Sequence, residues 1–183
     1  MGRGGSDKIL SHVTSETDWQ FINEELRKNG VKVNTDEPGL AILKHIGLEM
    51  EMSPNVCRGR FVVDERSCQP FGVLHGGMTG LIAETMASKT GHYAANGQPV
   101  QSIELNANHI RAVPIGEKVV VIAKPLMKGS RIQVWEVKFE KEVRSKTGGA
   151  PQMAVSAVCK VTLLVGSAIE PVDWKTNVTG SRL

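Results

Sequence analysis

QPFGVLHGGMTGLIAETMAS, residues 69–88, sets a glycine-flanked His at the head of a helix built from small side chains. Between Met78 and Ser88 every side chain is apolar, tiny or a hydroxyl, with Glu84 the exception. Gly76, Gly77 and Gly80, with Ala83 and Ala87, would let another backbone approach closely, so the helix is expected to be buried and wrapped by sheet. Leu81, Glu84 and Ser88 are three and four residues apart and share one face. A buried carboxylate must be paired, hydrogen-bonded or shifted in pKa, and such groups gather at functional sites. The alternative leaves Glu84 on a solvated stripe beside Thr85 and Lys89.

The turn before the helix has chemistry of its own. The N–H groups of His75-Gly76-Gly77 are expected to point outward unpaired and to carry the positive end of the helix dipole. Such a site polarises a carbonyl and holds the oxyanion that develops on it. Gln69 would orient a water or a reacting group. His75 is either a base or, the reading preferred here, a hydrogen-bonded residue that shapes the turn. Bare N–H donors near a carboxylate suit hydrolysis of an activated acyl group, with Glu84 attacking the carbonyl or deprotonating water. No Gly-x-Ser-x-Gly elbow supports a Ser–His–Asp triad.

Outward from this stretch, the chain reads as one α+β domain. The four segments 100–112, 118–129, 131–143 and 152–165 look like strands, punctuated by Pro114-Ile115-Gly116, Lys128-Gly129-Ser130 and Thr147-Gly148-Gly149. Short turns between long strands predict a meander of antiparallel hairpins rather than alternating βαβ units. Upstream, 58–65 reads as a strand, and 40–53 as a helical turn followed by a strand start. Trp19, Ile22 and Leu26 lie on one face of a short amphipathic helix over 18–29, opened by Thr17 and stopped by Gly30. That helix is expected to cover the main body without taking part in chemistry. In RIQVWEVKFE, Ile132 and Val134 share one phase and Trp135, Val137 and Phe139 the other; a bulge or burial by a second subunit would explain the slip. The boundaries drawn are an N-terminal arm and helix over 1–35, the main domain over 36–166 and a C-terminal tail over 167–183.

Composition narrows the partners. With 183 residues the chain is long enough for one domain with a full core. A net charge of +3 with no basic, aromatic-laced stripe argues against nucleic acid, and no apolar run reaches membrane-spanning length. The N-terminus has no apolar signal core. Cys57, Cys68 and Cys159 form neither a metal-type pair nor a disulfide ladder, and the histidines show no ligand spacing, so no metal is expected. The chain ends in Ser181-Arg182-Leu183, the peroxisomal Ser-Lys-Leu address with Arg for Lys, so a peroxisomal import receptor is an expected partner. The alternative location is the cytoplasm. Lys124, Lys128, Arg131 and Lys138 would form either a phosphate-facing patch or an ordinary solvated sheet face.

QPFGVLHGG, the acid nine residues after its His, LNANHIRA and IQVWEVKF together resemble the hotdog-fold acyl-CoA thioesterases. The likeness is greatest to the 1,4-dihydroxy-2-naphthoyl-CoA thioesterases of the plant and bacterial naphthoquinone pathways, the plant peroxisomal type above all. It covers residues 38–165. The resemblance implies an antiparallel sheet wrapped around one long central helix and hydrolysis of an aromatic acyl-CoA, with coenzyme A part of the substrate and no separate cofactor. It also implies a homodimer or homotetramer whose site is shared, the carboxylate of one protomer facing its partner's His-Gly turn. Glu84 would be nucleophile or general base, Gln69 a positioning residue, Gly76 the N–H donor to the thioester oxygen, His75 the turn-shaping residue and Ser88 an assistant to Glu84. His109 would line the acyl pocket, with Ile110 and Arg111 leading towards CoA and Gly129, Ser130 and Arg131 contacting it. A benzoyl-type or medium-chain acyl-CoA is the sibling reading. A hydratase on the same fold would pair Asp and His on one segment, which is absent near His75, and a non-catalytic acyl-CoA sensor would be expected to lose the acid.

Overall fold

The computed structural model describes residues 16–36, 40–143 and 152–166. Three helices, α1 (Glu16–Asn29), α2 (Ala41–His45) and α3 (Gly76–Ala94), accompany seven strands. The strands are β1 (Val31–Lys32), β2 (Glu49–Ser53), β3 (Val56–Val62), β4 (Val100–His109), β5 (Lys118–Lys128), β6 (Ile132–Val143) and β7 (Gln152–Val165). All pair antiparallel in one sheet of order β1-β2-β3-β5-β6-β7-β4. The sheet curls around α3, whose Ile82, Ala83, Met86 and Ala87 are fully buried among Phe61, Val121, Trp135, Val137, Phe139 and Leu163. This is the α+β, helix-in-sheet arrangement expected of the sequence.

The glycines and alanines of α3 explain its position. A methyl group added to Gly91 would strike Leu163 Cδ1 and come within 2.8 Å of Gln133 Oε1. Gly59 on β3 receives Met86 in the same way, with Sδ 3.1 Å from where its Cβ would stand. Poor helix propensity at Gly80 and Gly91 is therefore overridden by close packing.

Two expectations need correction. The strands after α3 do not form one meander: β4 pairs with β7, not β5, and lies at the edge of the sheet. The eight-residue link 110–117 carries the chain from that edge back across the sheet, where β5 enters between β3 and β6. The phase slip in β6 also needs no bulge between Ile132 and Phe139. Gln133, Trp135, Val137 and Phe139 all face inward, and the polar member is satisfied there. Its Oε1 accepts from Trp135 Nε1 at 2.9 Å, and its Nε2 donates to Gly91 O at 3.3 Å. The register irregularity falls later, between Phe139 and Glu140.

α1 packs on the outer face of the sheet, with Ile22 and Leu26 against Val56 and Ile122. β1, within the segment read as the N-terminal arm, adds a two-residue edge to β2. The 1–15 stretch of the arm and the 167–183 tail, with Ser181-Arg182-Leu183, lie outside the described residues.

Candidate active site

The segment before α3 is folded into a scaffold of short turns. Gly72 N–H donates to Gln69 O at 2.9 Å, closing a turn over Pro70 and Phe71 in which Gly72 takes φ of 72°. Gln69 N–H reaches Val73 O at 2.8 Å and Leu74 N–H reaches Val113 O at 2.8 Å, so the loop is pinned to the 110–117 link.

Next comes the helix start. His75 is the N-cap: its N–H donates to Ser67 O at 2.9 Å, and its Nδ1 accepts from Gly77 N–H at 2.9 Å. An accepting Nδ1 puts the proton of a neutral ring on Nε2. The expectation of three bare N–H groups is thus corrected, because His75 and Gly77 are occupied and Gly76 N–H has no acceptor among the described residues. The capping role is testable. His75→Ala should lower stability by on the order of 1 kcal/mol, read as a urea midpoint shift at constant m-value, and His75→Asn, which can accept the same bond, should recover most of it.

Gly76 opens onto a cavity of about 390 Å³ lined by Gln69, Gly76, Thr79, His109, Ile110 and Arg111 among others. A methyl group on Gly76 would lie 3.1 Å from His109 Nε2, so the ring of His109 packs closely against Gly76 and leaves no room for a side chain there. The end of β4 is shaped by Ser156 O, which accepts from both Ile110 N–H (2.8 Å) and Arg111 N–H (3.0 Å). Arg111 Nη1 donates to Val155 O at 2.7 Å, which tethers the guanidinium at the cavity, and no carboxylate pairs with it among the described residues. Thr79 and Ser156 are cavity residues that carry no signal in the sequence, since their place depends on β4 lying against β7.

Glu84 and Ser88 are not in this cavity. They lie half-buried on the outward stripe of α3 with Gly77, Leu81 and Thr85, while Thr79, Gly80, Ala83 and Ala87 face inward. Glu84 is eight residues past Gly76, about 12 Å along the helix axis. A carboxylate there cannot reach a carbonyl held on the Gly76 N–H of its own chain. Gly129, Ser130 and Arg131 are also distant. Gly129 N–H closes the β5–β6 turn on Ile132 O at 2.8 Å, and Val165 N–H donates to Arg131 O at 2.8 Å. That places the turn beside the Val100 end of β4 (Val100 pairs with Val165), about 30 Å along the strand from His109.

Two of the cysteines, Cys57 and Cys159, are buried away from the cavity. Burial pushes the Cys57 thiol up to about 12 and that of Cys159 up to about 11, so both stay protonated. Among the described residues no His, Cys, Asp and Glu side chains are grouped to hold a metal ion, and no helix is long and apolar enough to cross a membrane.

The curled antiparallel sheet wrapped around α3 has counterparts of known class. The sequence model of the thioesterase superfamily matches residues 71–147. The 1,4-dihydroxy-2-naphthoyl-CoA thioesterase 2 of Arabidopsis thaliana is 37% identical over 119 residues, which is 65% of this chain and 74% of that protein. The proofreading thioesterase EntH of Cronobacter turicensis is 37% identical over 98 residues, 52% of this chain and 71% of that one. The crystal structure of a thioesterase from Haemophilus influenzae superposes with a TM-score of 0.56 at 34% identity, covering 70% of this chain and 84% of the other. The chain belongs to the thioesterase superfamily. It has the hotdog fold of that superfamily and is a thioester hydrolase.

Proposed function

We propose that the protein hydrolyses an aromatic acyl-CoA, 1,4-dihydroxy-2-naphthoyl-CoA in the first instance, to the free acid and CoA. The observation that carries this reading is Gly76 at the start of α3, which lines a cavity with Gln69, His109 and Arg111 and whose N–H has no acceptor among the described residues. The thioester oxygen would accept from Gly76 N–H, which strengthens as negative charge develops on that oxygen. Gln69 orients the reacting group, and Glu84 either attacks the carbonyl carbon or takes a proton from the attacking water. The thiolate of CoA leaves and is protonated; on the direct-attack route water then hydrolyses the acyl-Glu84 anhydride, releasing the acid and the carboxylate.

The 12 Å between Gly76 and Glu84 supports a second copy as the source of the acid. Among the described residues β4 is paired on one side only, and Ile103 and Leu105 are 54% and 40% exposed along it. Two copies joined antiparallel along this edge would bring each Gly76 end of α3 towards the other's Glu84. The same two-fold carries the partner's Gly129–Arg131 turn towards Arg111, where the phosphates of CoA would lie between cations. The plant relative supports the naphthoyl group, and Ser181-Arg182-Leu183 supports a peroxisomal location through the import receptor.

Thiol release from a panel of CoA thioesters (dihydroxynaphthoyl, benzoyl, phenylacetyl, hexanoyl and palmitoyl) tests the substrate. The dihydroxynaphthoyl thioester is expected to give the highest kcat/KM, by about tenfold or more, the discrimination about 1.4 kcal/mol of pocket contacts provides. The proofreading relative favours a second reading, a broad-specificity thioesterase, which near-equal rates across the panel would support instead.

A further inference from the structure

α1 lies outside the residues that match the superfamily, yet polar ties run from it to the end of the sheet that carries the Gly129–Arg131 turn. Asp18 is ion-paired with Lys124, whose ammonium stands 5.9 Å from the centroid of the Phe21 ring. One turn beyond Phe21, Glu25 Oε1 accepts from Asn55 Nδ2 at 2.9 Å, and Asn55 Oδ1 accepts from Lys128 Nζ at 2.6 Å. Asn55 sits in the tight β2–β3 turn, with its N–H on Ser53 Oγ at 3.2 Å. Its amide is fixed in sense, since only Nδ2 can donate to a carboxylate and only Oδ1 can accept from an ammonium. Hydrogen bonds from Asn55, and then Ser53, hold the Glu25 carboxyl below its usual range, so it remains an acceptor.

The four cations in question thus divide. Lys124 is matched by Asp18 and Lys138 by Glu136 at 3.1 Å. Lys128 is bonded to a neutral amide and meets the Glu25 carboxylate only across it, without a direct ion pair, and Arg131 has no carboxylate partner among the described residues. Exposed ties of this kind add little to stability. What the Glu25–Asn55–Lys128 relay does fix is the place of an ammonium that would otherwise swing on four rotatable bonds, and holding it beforehand lowers the ordering that binding must impose.

We infer that the Glu25–Asn55–Lys128 relay makes α1 a positioning element for the nucleotide end of the substrate: it presents the Lys128 ammonium beside Arg131 to the phosphates of CoA. This rests on the acyl-CoA reading above. The relay touches no reacting atom, so it governs KM and leaves kcat alone.

The test compares 1,4-dihydroxy-2-naphthoyl-CoA with the corresponding pantetheine thioester, which has the same reacting end and no phosphates. In Asn55→Ala and Lys128→Ala, KM for the CoA thioester should rise about three- to tenfold, the range expected when up to about 1.4 kcal/mol of binding is lost. kcat should hold, and both constants for the pantetheine thioester should be unchanged. The rise should shrink as salt screens the contact. Glu25→Gln, which leaves the packing of α1 intact, should give a smaller change of the same kind. An equal KM rise for both thioesters would make the relay merely structural and overturn the inference. If the wild type prefers the CoA thioester and the variants keep that preference in full, the relay alone fails. A wild type with one KM for both thioesters would instead overturn the placement of CoA at this turn.

Discussion

Glu84→Ala is expected to lower kcat by at least about a hundredfold, the scale on which an acid–base or nucleophilic carboxylate contributes, with little change in stability. Glu84 is half-buried on the outward stripe of α3, with no hydrogen bond or ion pair among the described residues, so its removal breaks nothing inside the subunit. Gln69→Ala should also be slow, for the different reason that the reacting groups lose their orientation. The decisive experiment mixes the two variants and lets subunits exchange. If Glu84 of one chain serves the Gln69–Gly76 cavity of the other, each mixed dimer contains one site with both residues intact and one with both lost. Random exchange of equal amounts then restores about a quarter of wild-type turnover, from half the dimers being mixed and half their sites being whole. No restoration would place Glu84 and Gln69 in the same chain's site, against the 12 Å of helix between Gly76 and Glu84. Unchanged turnover in folded Glu84→Ala would remove Glu84 from the chemistry altogether.

Much of this geometry could be read in the sequence because its determinants are local. The small residues of α3 specify a helix that a sheet can wrap, and the close approach of Leu105 at Gly80 and of Leu163 at Gly91 is what uses that smallness. Strand extents are legible from the turns that bound them, since Pro114-Ile115-Gly116 lies between β4 and β5 and Lys128-Gly129-Ser130 at the β5–β6 junction. What stayed hidden depends on pairs far apart in the chain. Nothing local says that Asn108 pairs with Val158 instead of joining a hairpin with β5, so the edge position of β4 was missed. Gln133 looked like a break in the inward row because its acceptor and donor, Gly91 O and Trp135 Nε1, come together only once α3 has docked. His75 reads in the sequence as a turn-shaping residue, but that its ring occupies Gly77 N–H and not Gly76 N–H depends on the ring's position. The separation of Glu84 from the cavity is the clearest case: shared helix faces are legible at spacings of three and four, whereas which face meets which cavity is set by the sheet and by whatever packs on its edge.

That edge carries the second large effect. If two copies pair along β4 as proposed, Ile103→Asp should convert that dimer to monomers and abolish turnover with it. Ile103 is 54% exposed at the register shift of β4, on a strand whose other side is already paired with β7, so the subunit itself has little need of its side chain. A strand edge left open in this way, with Ile103 and Leu105 exposed along it, is a pairing surface. Along a two-fold joint, one substitution introduces two carboxylates into the same paired stretch. Like charges brought together at an interface cost several kcal/mol, enough to weaken association by about a hundredfold or more. Sedimentation should show the monomer at micromolar protein, with the far-ultraviolet spectrum of a folded chain. Specific activity should then rise with protein concentration, as it must if the catalytic unit is the pair, and Ile103→Val should behave as wild type. A monomer that remains fully active at all concentrations would mean that one chain assembles its own site. In that case the acid opposite Gly76 would have to be sought among residues of the same chain instead of at Glu84 of a second copy.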